Sequence, residues 1–155
     1  MKQIFDSEAY SPSQIAVKVG SLGVTKAQLP LLPMAMLGML AGGFIGLGAL
    51  YYTLVISDAG LGFAASRVLG GVVFSLGLIL VIVGGAELFT GNNLLAMAWA
   101  DGKISSRELA RNWLVVYATN AIGAIGLAAV VYWSDNSSFN GGAVARQYLL
   151  IAAAK

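Results

Sequence analysis

Long uncharged apolar stretches alternate with short polar ones along this chain. The first runs from about Met34 to Ile56 and carries no charged residue. The second runs from about Val68 to Phe89, with Glu87 near its end, and the third, uncharged, from about Trp113 to Trp133. A bilayer's hydrocarbon core takes about 20 apolar residues of helix, and all three reach that length. A fourth apolar stretch opens near Val144 and runs to Lys155, too short to span. The pattern predicts an all-α membrane protein: three transmembrane helices, the start of a fourth, and an end that falls inside a helix, as in a fragment.

Polar residues punctuate the spans. Ser11-Pro12 is a helix start, a capping hydroxyl followed by a proline whose missing N–H costs nothing there. Ile15, Val19 and Leu22 follow at helical spacing, with Lys18 and Lys26 among polar neighbours. This predicts a short amphipathic helix, either lying at the membrane interface or packed on protein. Pro30 and Pro33 close that segment, so residues 1–33 are expected to form an N-terminal cytoplasmic unit and residues 34–155 the transmembrane domain. Asp101-Gly102-Lys103 predicts a tight turn, and Ser105-Ser106-Arg107-Glu108 a capping box that starts the third span. Gly42 and Gly46 on the first span, and Ala124 and Ala128 on the third, are candidate close-packing seams. Asn120, in mid-span, needs a partner for its amide.

The second span does not end cleanly. After Phe89 come Thr90-Gly91-Asn92-Asn93, then the apolar run Leu94–Ala100. That run is too short to cross but long enough to finish a crossing already begun. Glycine lowers helix propensity and asparagine competes for backbone hydrogen bonds, so unwinding is expected at Leu88–Asn93. Broken backbone at membrane depth survives only when it is buried in protein or lines a water-filled path. The Thr90 hydroxyl, the asparagine amides and the freed N–H groups would favour a small anion. A carboxylate at this depth is costly. Glu87 is therefore expected to hold the loop, accepting bonds from the broken backbone or a neighbouring subunit; a proton relay through it is the alternative. A plain helix–helix corner would produce the same string without any path.

Composition supports the membrane reading. Hydrophobic residues make up 58% and charged residues 10%, against roughly 25% charged in soluble domains. Glycine supplies 20 of 155 residues, near twice its usual share. The net charge of +2 is too small to point to nucleic acid. The absence of cysteine and histidine removes thiolate metal sites and the commonest general base; no enzyme activity, cofactor or metal is expected. The N-terminus lacks the apolar core of a signal peptide. Lys2, Lys18, Lys26, Lys103, Arg107 and Arg111 fall on one side of the predicted spans, and Arg67, Arg146 and Lys155 on the other. That bias predicts a cytoplasmic N-terminus.

The string Ala86-Glu87-Leu88-Phe89-Thr90-Gly91-Asn92, followed by the half-helix that ends Trp99-Ala100-Asp101-Gly102-Lys103, resembles the formate/nitrite transporter family, as does the order of segments. The resemblance covers essentially the whole chain, but only the first half of the family's usual length. It implies the first half of an aquaporin-like formate/nitrite-channel fold, with the second of its transmembrane helices broken by a loop. It implies a multi-pass inner-membrane protein, assembled as a homo-pentamer, that carries small monovalent anions such as formate, nitrite or hydrosulfide, with proton linkage. It places Leu88, Phe89, Thr90, Gly91 and Asn92 on the substrate path, Glu87 and Asn93 in the loop scaffold, Phe74 and Leu78 in an apolar constriction, and Lys155 in the vestibule that draws anions. Phe74 and Leu78 share a helix face at i and i+4, which ordinary core packing would also explain. The family's pore histidine and second broken helix have no counterpart here. A non-transporting scaffold or assembly fragment is the competing function.

Overall fold

The computed structural model describes residues 10–58 and 60–154. Lys155, expected in the vestibule, lies outside the described residues. Helix α1 spans Pro12–Ala27; Ser11 and Gln14 cap it reciprocally through side chain and backbone. Helix α2 spans Leu31–Ile56, starting earlier than expected. Pro33 is accommodated because it lies in the first turn, where its missing N–H would have had no partner. Helix α3 spans Phe63–Val83, followed by the short helices α4, Phe89–Asn92, and α5, Leu95–Ala100. Helix α6 spans Ser106–Trp133 and starts on the expected capping box of Ser105 and Glu108. A polar connector, Asn136–Gly142, leads to α7, Ala143–Ala153.

Among the described residues three helices, α2, α3 and α6, are long and apolar enough to cross a membrane. The break lies several residues earlier than the composition suggested. Expected at Leu88–Asn93, it occupies residues 84–88, and Phe89–Asn92 is helical. The cause is the Gly84-Gly85 pair. Gly85 takes φ +60°, its N–H donates to Ile82 O, and the Ala86 N–H reaches back to Val81 O. This is a Schellman C-cap, and the left-handed residue at its centre favours glycine. Val81 and Ala86 also touch in one buried cluster with Ala41, the apolar contact that accompanies the motif.

After the break, the chain runs back along the first half of α6. Phe89 bonds Asn120, Asn92 bonds Trp113 and Asn112, and Trp99 bonds Ser106. The partners on α6 step steadily toward its start, so α4 and α5 complete the crossing that α3 begins. Asn120 lies near the middle of α6, which places the break deep in the bundle.

Small residues let the helices approach. A Cβ on Gly42 would overlap the Asn120 carbonyl, and one on Gly46 would strike Leu127. On the α6 side the contact falls at Gly123, where a Cβ would overlap the Met39 carbonyl. Ala124 adjoins Gly42 through its backbone, and Ala128 is exposed. Helix α1 packs on α5 through Gly20, Gly23 and Ala27, leaving Ile15 and Leu22 half exposed.

Candidate functional site

The break exposes backbone groups that a continuous helix would have paired, and Asn120 on α6 takes up part of that demand. Asn120 holds the far edge of the loop, on either side of Leu88. Its amide donates to Gly38 O and to Glu87 O, each at 2.8 Å, and its side-chain oxygen accepts the Phe89 N–H at 2.9 Å. The Glu87 N–H donates to Leu37 O at 3.2 Å. Helices α2 and α6 therefore clamp the loop through main-chain bonds, as unpaired groups at this depth would require.

The Glu87 side chain turns to the other end of the molecule. It is 3% exposed. Its carboxylate accepts from Lys26 Nζ at 2.6 Å and from Asn92 Nδ2 at 2.7 Å. Asn92 also donates to Asn112 Oδ1 at 3.0 Å, and Lys26 reaches Asn92 Oδ1 at 3.3 Å. The Asn112 amide closes the set on Lys26 O at 3.1 Å. Trp113 Nε1 donates to Asn92 O, and Arg111 donates to the carbonyls of Ala27 and Leu29. Every buried polar side-chain atom among the described residues has a partner, so the network is fully satisfied, the condition under which buried polar groups rigidify rather than destabilise.

Glu87 thus takes its bonds from side chains, Lys26 and Asn92, and not from the broken backbone as expected. Its charge is met by Lys26. Lys26, Asn112 and Trp113 were not singled out as site residues from the sequence. A signal for Lys26 did exist, since a deep carboxylate needs a cation and few are near enough in a chain so poor in charge. Which cation could reach it depended on where α1 docks.

The two asparagines at the break sit the opposite way to expectation. Asn92 is 1% exposed and bound into the anchoring set, whereas Asn93 is exposed. Thr90 and Gly91 are exposed too, and a Cβ on Gly91 would meet nothing within 4 Å. Among the described residues the Thr90 and Gly91 N–H groups have no hydrogen-bond partner. Leu88 leans on the Ala41–Val81–Ala86 cluster, and Phe89 meets Tyr117 edge-on at 5.3 Å between centroids. Phe74 and Leu78 lie on α3 ahead of the break, 39% and 48% exposed.

An all-helical bundle in which one membrane crossing is interrupted at depth, with its loop clamped from both sides, defines a multi-pass membrane protein of the aquaporin-like formate/nitrite-channel fold. The chain belongs to the formate/nitrite transporter family, whose model, described as "Formate/nitrite transporter", matches residues 13–155. It is 44% identical over 119 residues to the uncharacterized transporter YrhG of Bacillus subtilis, covering 76% of this chain and 45% of that protein. It is 38% identical over 123 residues to the formate channel FocA of Escherichia coli K12, covering 79% and 43%. A third relative, the formate channel FocA of Haemophilus influenzae, is 39% identical over 103 residues, covering 66% and 36%. A solved FNT family ion channel shares the fold with a TM-score of 0.71 at 24% identity, over 81% of this chain and 51% of that one. The chain spans less than half the length of the curated relatives it matches.

Proposed function

We propose that this chain forms the first half of a pathway for small monovalent anions, with formate the leading cargo and nitrite and hydrosulfide as further candidates. The observation that carries this reading is the clamped break. Glu87, Asn92 and Asn120 hold the loop from behind, while Thr90 and Gly91 remain exposed with free N–H groups. A hydroxyl and two amide donors on a clamped segment suit a compact anion. The relatives whose printed names include "formate channel" point to the same cargo.

In this proposal Leu88, Phe89, Thr90 and Gly91 border the path, with Asn92 supporting it from behind. Phe74 and Leu78 form an apolar constriction that makes a bare anion costly. A weak acid crosses such a ring more readily in its neutral form, which is the basis for proposing proton linkage. The vestibule role of Lys155, pentameric assembly, a position in the inner membrane and a cytoplasmic N-terminus belong to the same proposal.

The test is flux of formate, nitrite and hydrosulfide into proteoliposomes carrying the full-length protein. Absence of flux for all three sinks the transport reading and favours a scaffold role. Thr90→Val is expected to slow flux by about tenfold, since one lost hydrogen bond to a charged group is worth roughly 1.5 kcal/mol, without preventing assembly. Unchanged flux removes Thr90 from the path.

A further inference from the structure

At the end of the bundle opposite Lys26 and Glu87, α3 presents a second constellation. Arg67, Phe74 and Leu78 are seven and four residues apart, which puts them on one stripe of the helix. Gly71 lies on the same stripe, and a Cβ there would meet nothing within 4 Å, so the stripe is open between the cation and the ring. Seven residues of helix place Arg67 about 10 Å outward of Phe74.

Arg67 is held rather than free. Its Nη1 donates to the Tyr52 hydroxyl at 2.6 Å, and its guanidinium lies 5.3 Å from the centre of the Phe63 ring. Tyr52 also meets Phe74 edge-on at 6.5 Å between centroids. It lies against Gly70, where a Cβ would strike its ring. One side chain therefore links the cation to the aromatic ring below it. Among the described residues no carboxylate pairs with Arg67, since the two ion pairs are Lys26–Glu87 and Lys103–Asp101. Arg67 is exposed, and beyond the bond to Tyr52 its guanidinium keeps further N–H donors in the planar fork that suits a carboxylate.

We infer that Arg67, oriented by Tyr52, is an anion-collecting site outside the Phe74–Leu78 constriction. It takes small monovalent carboxylates such as formate from the face opposite Lys26. A fixed cation raises the local anion concentration at the ring, where entry is hardest, and salt screens the effect. Tyr52 is a positioning residue: it touches no cargo and sets the direction of the guanidinium. The inference rests on reading Phe74 and Leu78 as the constriction of an anion path.

The experiment measures formate uptake by the full-length protein against formate concentration supplied on each face in turn. Arg67→Gln is expected to raise the apparent KM roughly five- to tenfold on the Arg67 face, with a much smaller change on the other face. Arg67→Lys recovers part of the affinity, Tyr52→Phe gives a smaller rise of the same sign, and high salt narrows the gap between wild type and Arg67→Gln. Equal KM values for wild type and Arg67→Gln, or a loss of maximal rate with KM unmoved, overturn the inference and leave the transport reading standing. If Arg67→Gln fails to assemble, an unmoved KM in Tyr52→Phe overturns it in the same way. Absence of formate uptake in the wild type overturns both.

Discussion

A carboxylate buried as Glu87 is would be costly alone, and its cation arrives from 61 positions earlier in the chain. Removing one partner of such a pair leaves an uncompensated charge, whereas removing both leaves none. Lys26→Met is therefore expected to destabilise the full-length protein by about 2–3 kcal/mol, at or below the usual range for a buried pair because Lys26 keeps a third of its side-chain surface exposed. The double substitution Lys26→Met with Glu87→Gln should recover part of that loss. Thermal melting in detergent checks both, and a double variant no more stable than Lys26→Met would contradict the pairing. Asn120→Leu strands the Glu87 carbonyl and the Phe89 N–H and removes the second bond from the Gly38 carbonyl, at roughly 1–3 kcal/mol for each group left unsatisfied. It is expected to abolish stable assembly, as read by size-exclusion chromatography.

Among the helices, approach distance decides what is tolerated. Gly42 and Gly43 are neighbours in sequence, yet a Cβ on Gly42 would overlap the α6 backbone while one on Gly43 would meet nothing. Gly42→Ala is expected to lower the melting temperature clearly and Gly43→Ala to leave it nearly unchanged. Equal effects would show that helix propensity, not the α2–α6 contact, governs these positions. Gly85 is different, because its neighbourhood is open and the constraint is its φ of +60°. Gly85→Ala costs about 1–2 kcal/mol from backbone strain alone. The break was legible in the sequence as an interruption, but its position was not. Attention falls naturally on Gly91 and the asparagines, whereas the residue that ends α3 is Gly85. Isolated glycine and asparagine in a short window weaken a helix, but only closure of the Schellman bonds onto Val81 and Ile82 stops it.

For the whole molecule, the path of the chain sets which loops share a face. α2 runs from the α1 end to Ser57, α3 with α4 and α5 returns, and α6 crosses again. The connector after α6 meets the far end of α2, with Asn140 Nδ2 donating to Ser57 O at 3.4 Å. Lys103 and Ser138 therefore lie on opposite faces. Since this chain contains no cysteine, Lys103→Cys and Ser138→Cys are each expected to label with a membrane-impermeant thiol reagent from one side only, and from different sides. Labelling of both from the same side would contradict the three-crossing path. The proposed cytoplasmic N-terminus adds that Lys103 labels from the cytoplasmic side.

By itself the sequence determined what local chemistry dictates. The lengths of the apolar runs, the capping hydroxyls of Ser11 and Ser105 and the turn at Gly102 all act within a few residues, so they are readable one window at a time. The family string from Ala86 to Asn92 added membership. Only the tertiary structure decided which of Asn92 and Asn93 faces inward, which lysine meets Glu87, and that Asn120 ties the loop beside Leu88 to α2. Each of those depends on helices far apart in sequence coming into register. That register follows from where glycines allow two backbones to touch, and a glycine's neighbour across a helix interface is not written in the residues beside it.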